Sequence, residues 1–255
     1  MEQRLKKQIL IGSIFGLIVL VIAFGVYFFY LRVAPTCADG KTNQGEEGID
    51  CGGPCQACEL VNMRDVKIEW VKALPTIGQN YDLVAMVSNP NQNYGSRKVD
   101  YEFKLFDLAG KEVGSKSGQT FILPRQEKSI IELKVGAVAL VSKVTLNLGN
   151  VPWEKLDNYV DPKMSVFEKQ YQTFNGGPPY SQVSCVLKNS DYADYKNIGL
   201  IFLLFDASGE LLGVNYLSID GLSANQQRYL SVPWQFPVSG QVAKVDVQTV
   251  INLFE

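Results

Sequence analysis

A chain of 255 residues with 46% hydrophobic side chains is long and apolar enough for one large or two ordinary packed domains, which excludes disorder as its main state. A formal charge of −2 and a pI near 5.4 leave no basic footprint for nucleic acid. The chain has no histidine, which removes Ser–His and Cys–His nucleophiles and the His-containing zinc sites.

In chain order, the first element is ILIGSIFGLIVLVIAFGVYFFYL, Ile9 to Leu31, 23 residues without a charge. As a helix it would be about 34 Å long, against roughly 30 Å of bilayer hydrocarbon. Sixteen of the 23 are Leu, Ile, Val or Phe, and at roughly −0.3 to −0.6 kcal/mol each they outweigh the glycines and Ser13. A buried core helix would keep a polar face over six turns. A signal peptide would have a shorter apolar core and a small-x-small cleavage site, and Thr36 stands where a lipoprotein processing site at Cys37 needs a smaller residue. Residues 9–31 are therefore expected to be an uncleaved anchor holding the protein in the membrane. Arg4, Lys6 and Lys7 precede it and Arg32 alone follows, so residues 1–8 are expected to be a cytoplasmic tail and everything beyond extracytoplasmic, in a single-pass cell-membrane protein. Tyr27 to Tyr30 suit the outer headgroup boundary, and Gly12 with Gly16 has the spacing of a helix-pairing site.

Residues 32–59 follow as a stalk holding Cys37, Cys51, Cys55 and Cys58. Outside the cytoplasm these predict two disulfides, in any of three pairings, stapling a segment with almost no apolar side chains. Four-thiolate zinc would need two short knuckles, and only Cys55 and Cys58 have that spacing. Thiol redox chemistry would need a thioredoxin-like strand and helix around the same pair. Asp39, Asn43, Glu46 and Asp50, with Glu47, offer hard oxygen ligands on a glycine-bent loop, which makes calcium the one candidate cofactor; solvated acids are the simpler alternative. The spacing Cys37-x-Asp39-Gly40-x-x-Asn43-x-x-Glu46-x-x-x-Asp50-Cys51-Gly52-Gly53-x-Cys55-x-x-Cys58 resembles a short cysteine-rich module of secreted and surface-anchored prokaryotic proteins. The resemblance implies an extracytoplasmic setting and no particular activity.

From Glu59 onward the pattern shortens to alternating runs. Val99, Tyr101, Phe103 and Leu105 alternate with Asp100, Glu102 and Lys104, a strand with one wet face, and Asp107 with Gly110 then makes a hairpin corner. Ile198, Leu200, Phe202, Leu204, Asp206 and Gly209 repeat it. "FKLFDLAGKEVG" overlays "FLLFDASGELLG" with Phe103 on Phe202 and Asp107 on Asp206, each 99 positions apart, and small adjustments put Asn89 on Asn189 and Val144 on Val245. This is an internal duplication. Two tandem immunoglobulin-like β-sandwiches are expected, at 60–151 and 152–255, giving a mainly β protein behind one helix and a disulfide-rich module. The hairpins resemble the FxLYD family of prokaryotic extracytoplasmic β-sandwich domains through Phe103-Lys104-Leu105-Phe106-Asp107 and Phe202-Leu203-Leu204-Phe205-Asp206, with phenylalanine in place of the motif's tyrosine. That resemblance implies a sandwich fold and leaves function open.

The copies differ on one face. Asp100, Glu102 and Lys104 in the first are matched by Gly199, Ile201 and Leu203 in the second, an apolar row that something must cover: the first sandwich, a loop, or a partner protein bound through Ile201 and Leu203. Cys185 aligns with Ala85 and reads as a small buried hydrophobe. The expected function is non-catalytic: a membrane protein presenting two sandwiches to a protein or to wall polymer. A carboxylate-dependent surface hydrolase and an accessory subunit of a membrane complex are the alternatives. Asp107 and Asp206 recur, at corners where aspartate supports turns.

Overall fold

A computed structural model describes residues 2–28 and 36–254. The chain divides into two compact units, Met1–Met63 and Arg64–Glu255.

In the first unit, α1 (Glu2–Val26) begins seven residues before the apolar run, because Arg4, Lys6 and Lys7 are good helix formers, and it includes them. From Gln3 to Val26 it is long and apolar enough to cross a membrane, and its most apolar stretch has no buried residue. Gly12 and Gly16 lie on this exposed helix with open space where a side chain would project. Phe29, Tyr30 and Leu31 of the expected span, and Arg32 beyond it, lie outside the described residues. The cysteine module ends in a single turn, α2 (Cys58–Val61).

The second unit is two β-sandwiches of one topology. The first pairs β1 (Lys67–Pro75), β2 (Asn80–Ser88) and β5 (Glu127–Gly136) in the order β1-β2-β5. Facing them is a sheet ordered β4-β3-β6, from β3 (Tyr94–Phe106), β4 (Glu112–Ile122) and β6 (Lys143–Leu148). The two-residue β7 (Glu154–Lys155) pairs with the start of β3 and continues the register of β6, so the first sandwich reaches past residue 151. The second sandwich repeats the arrangement with β8 (Met164–Thr173), β9 (Ser181–Asn189) and β12 (Gln227–Trp234) against β10 (Tyr195–Phe205), β11 (Leu211–Leu222) and β13 (Lys244–Val250). All pairings are antiparallel, and these orders are those of immunoglobulin-type sheets.

Alternation fixes the register. Leu83, Ala85, Val87, Val99, Tyr101, Phe103 and Leu105 fill the first core, and Val183, Cys185, Leu187, Ile198, Leu200, Phe202 and Leu204 fill the second. Both hairpins close alike. Asp107 Oδ1 accepts the backbone N–H groups of Ala109 (2.9 Å) and Lys111 (3.0 Å), and Asp206 Oδ1 accepts those of Ser208 and Glu210 (both 2.8 Å). Gly110 and Gly209 take the left-handed backbone at φ 78° and 86° that closes each turn with a bulge. Leu105 pairs with Val144 and Leu204 with Val245, the overlay read from the repeat.

A second shared device is a buried asparagine. Asn89 Nδ2 donates to the carbonyls of Tyr94 (2.7 Å) and Leu123 (2.8 Å), while its Oδ1 accepts Asn91 N–H. Asn189 does the same with Ala193 (2.7 Å), Leu222 (3.2 Å) and Asp191 N–H. Each ties the loop after the second strand of its copy to the corner before the fifth, satisfying carbonyls that the core would otherwise strand.

The sandwiches share a third apolar layer. Ile201 and Leu203 of β10, with Leu211 and Val214 of β11, pack against Val84 of β2, flanked by Trp70, Leu74, Ile131, Leu133, Phe205 and Val250. Ile201 is 3% exposed and Leu203 is fully buried. The expectation of an external partner bound through these two residues is therefore corrected: the outer face of β1-β2-β5 covers them, because both faces are apolar and belong to one chain. Gln248 Oε1 accepts Ser129 N–H (2.9 Å) across the joint, and Lys72 pairs with Glu210 at 2.6 Å on its rim. A half-exposed ion pair contributes little, so the apolar layer dominates. Leu203→Ala should lower the unfolding free energy of the sandwich unit by about 2–5 kcal/mol in urea titrations, and a loss under about 1 kcal/mol would mean the layer does not bind the copies together.

Candidate functional site

Among the described residues, polar side chains gather in the cysteine module, in a crevice along β5 and on the outer face of β3, among other places.

In the module, Cys37 bonds to Cys55 and Cys51 to Cys58, which resolves the three pairings left open by the sequence. The Asp-Cys-Gly-Gly core has a steric cause. Asp50, Gly52 and Gly53 have φ of 56°, 80° and 58°. A side chain at Gly52 would meet the Cβ of Glu47 at 2.6 Å, and one at Gly53 would overlap the carbonyl of Gly45. The carboxylates are struts of this loop. Asp50 accepts the N–H of Asp39 (2.8 Å) and of Gly40 (3.0 Å), Asp39 accepts Lys41 N–H and the Asn43 amide, and Glu46 accepts Asn43 N–H (3.1 Å). The Asn43 amide holds the Asp39 carboxyl below its ordinary range. The four expected calcium ligands are thus linked by one hydrogen-bond network, with N–H dipoles aimed at the oxygens a cation would use, but the carboxylate oxygens of Asp39, Glu46 and Asp50 are not gathered into one ligand cluster. Cys37, Glu46 and Cys55 also cluster, but both sulfurs are in a disulfide, so the Glu46 Oε1 contact to Cys55 Sγ at 3.1 Å involves no thiol and no thiolate.

The crevice, of about 320 Å³, runs along the open edge of β5 and is lined by Thr120, Lys128, Ser129, Glu132, Ile201 and Tyr216 among others. Lys128 lies in phase with Ile130, whose side chain is core, so its own is drawn inside and is 4% exposed. Its Nζ donates to Thr120 Oγ1 and the Phe121 carbonyl, both at 2.9 Å, and stands 3.7 Å from the centre of the Phe121 ring. Burial pulls the ammonium down to about 7, since these neutral groups replace water only in part. The nearby Glu132 carboxylate is engaged by the Tyr101 hydroxyl at 2.8 Å. Burial first, and then Glu132, push that phenol well above its usual value. Gly118 makes the room, since a side chain there would overlap the Tyr101 hydroxyl. Ser129 Oγ is buried without a partner. None of this was read from the sequence, although the spacing of Lys128 from Ile130 carried the signal.

The third place is a shallow 590 Å³ groove over β3, lined by Asp100, Glu102, Ser117, Gln119 and Asn147. Lys104 sits 3.5 Å from Glu102 and 3.6 Å from Glu112, so much of its charge is compensated. Asp107 and Asp206, the acids that recur in both copies, serve their turns, and Cys185 is a fully buried thiol that burial makes less acidic.

No protein-family model matches the chain, and no curated protein does. Among solved structures, a red sea bream transglutaminase aligns over 74% of this chain and 31% of its own length, at 13% identity and a TM-score of 0.25. The N-terminal CBM22-1–CBM22-2 tandem domain of Paenibacillus barcinonensis Xyn10C aligns over 73% of this chain and 83% of its own, at 9% identity and a TM-score of 0.15. Overlays this loose carry nothing about the chemistry of this chain.

Two outcomes follow from the geometry. The unfolded chain binds a proton at Lys128 up to its ordinary value of 10.5, whereas the folded chain releases it above about 7. Stability should therefore rise between those limits by up to about 1.4 kcal/mol per pH unit relative to Lys128→Met. Parallel pH profiles of the two proteins would show that the buried amine titrates normally. Second, reducing Cys37–Cys55, which spans 18 residues, removes about 3 kcal/mol of loop restraint. Residues 36–63 should then become protease-sensitive while the melt of the sandwich unit is unchanged.

Proposed function

We propose that this chain is a non-catalytic, single-pass membrane protein that presents its fused sandwich pair on the extracytoplasmic side, to a protein or to a cell-envelope polymer. The observation that carries this reading is α1. Over Gln3–Val26 no described residue is buried, and the stretch from Ile9 is apolar on every side, which suits lipid. Arg4, Lys6 and Lys7 at its start favour a cytoplasmic amino terminus. Two disulfides in the module that follows favour an oxidising compartment for the rest of the chain. The absence of histidine and the turn-supporting use of Asp107 and Asp206 favour binding over catalysis. The likeness of the hairpins to FxLYD domains agrees with an extracytoplasmic sandwich.

Protease added to wall-stripped intact cells should remove the sandwich unit, and a membrane-impermeant maleimide should label the module cysteines only after reduction. A sandwich unit protected until the cells are lysed, with module thiols that alkylate without reductant, would overturn the proposed topology.

A further inference from the structure

One end of the first sandwich carries an apolar crown. Three connections meet there: residues 76–79 between β1 and β2, 107–111 between β3 and β4, and 137–142 between β5 and β6. They are fastened together by Ala137 N–H to the Gln79 carbonyl (2.9 Å), Val138 N–H to the Val113 carbonyl (2.9 Å) and Ser142 N–H to the Phe106 carbonyl (2.8 Å). From these loops project Ile77, Leu108, Val138 and Leu140, at 58%, 94%, 79% and 79% exposure. Single exposed aliphatics are ordinary, but four on three adjoining loops are a surface.

The second copy supplies an internal control. Its hairpin overlays with Ala207 at the place of Leu108. Its last loop is anchored by Ala243 N–H to the Phe205 carbonyl, the counterpart of Ser142 to Phe106, which puts Ser239 at Val138 and Gln241 at Leu140. The inward positions of that loop stay apolar in both copies, Ala137 and Val141 against Val238 and Val242. Folding thus requires apolar residues only at the inward places, and at the outward ones the second copy does without large aliphatics, carrying Ala207, Ser239 and Gln241.

We propose that this crown docks on an anionic lipid surface. The side chains are aliphatic, without the Trp, Tyr and Arg anchors that dominate protein interfaces, and exposures of this size belong to residues that project rather than line a groove. Lys111 and Lys143 flank the crown, and neither has a carboxylate partner among the described residues. The acids beside them are engaged elsewhere: Asp107 is turned into its own hairpin, Glu112 pairs with Lys104 at 3.6 Å, and Glu210, in the same recess as Lys143, pairs with Lys72 at 2.6 Å. Aliphatic tips flanked by two lysines complement a headgroup layer over hydrocarbon. The inference stands apart from the anchoring role of α1. Because β1 runs from Lys67 to Pro75 toward these loops, the crown lies at the opposite end of the sandwich from Arg64.

The test uses the full chain in phosphatidylcholine nanodiscs, mixed with vesicles of phosphatidylcholine alone or with phosphatidylglycerol, and followed by flotation. A second readout is an environment-sensitive dye on Leu108→Cys. The nanodiscs should float with the anionic vesicles, or, when the nanodiscs are themselves made with phosphatidylglycerol, the dye should report burial in their own bilayer. The triple variant L108A/V138S/L140Q, which carries the second copy's residues, should lower capture by about a hundredfold. If that variant melts early, Lys111→Gln with Lys143→Gln takes its place and should abolish the preference for phosphatidylglycerol. Equal flotation of wild type and variants, or no flotation together with a water-exposed dye, overturns the proposal. A chain that fails to enter nanodiscs argues against α1 as an anchor, and the same flotation is then run on the chain in solution.

Discussion

The sandwich unit depends on one apolar contact between two copies of the same fold. The outer face of β1-β2-β5 in the first copy lies on the outer face of β10, β11 and β13 in the second, through Val84, Ile201 and Leu203. Each of these faces would be water-facing in an isolated sandwich, and removing both from water is the contribution that turns two small cores into one cooperative body. Polar groups at the joint refine its register, as the Ser129–Gln248 hydrogen bond does, without supplying its strength.

Much of this architecture was legible in the residues because its causes are local. Alternation over Val99–Leu105 and Ile198–Leu204 fixes which side chains face inward, and Asp with Gly at the right separation fixes the corners. The contrast of Asp100, Glu102 and Lys104 with Gly199, Ile201 and Leu203 announced that something covers the second face. What covers it could not be read, since pattern reports burial and not the identity of the neighbour. The disulfide pairing was closed to the sequence for a similar reason: three pairings satisfy the same spacing, and only the backbone path through Asp50, Gly52 and Gly53 selects one.

The polar sites were the least legible. The acids of the module act as loop struts, with N–H groups directed onto Asp50, Asp39 and Glu46, and since strut and ligand use the same residue types, residue type alone does not separate the two uses. Lys128 escaped notice because a lysine in an alternating strand usually lies on the wet face. Here the strand edge, the Phe121 ring and the second sandwich close over it together.

The joint between the copies has no twofold axis: dissimilar faces meet, as in head-to-tail filaments, where every subunit offers a fresh acceptor for the next. Such a contact has no built-in stopping point. Here the acceptor position of the first copy is occupied by Asp100, Glu102 and Lys104, so a further molecule stacking in the same way would have to desolvate three charges. Those residues end the series at one side, and the polar outer face of the second copy, where Gln182, Ser184 and Lys188 of β9 stand in place of the first copy's apolar donors, ends it at the other.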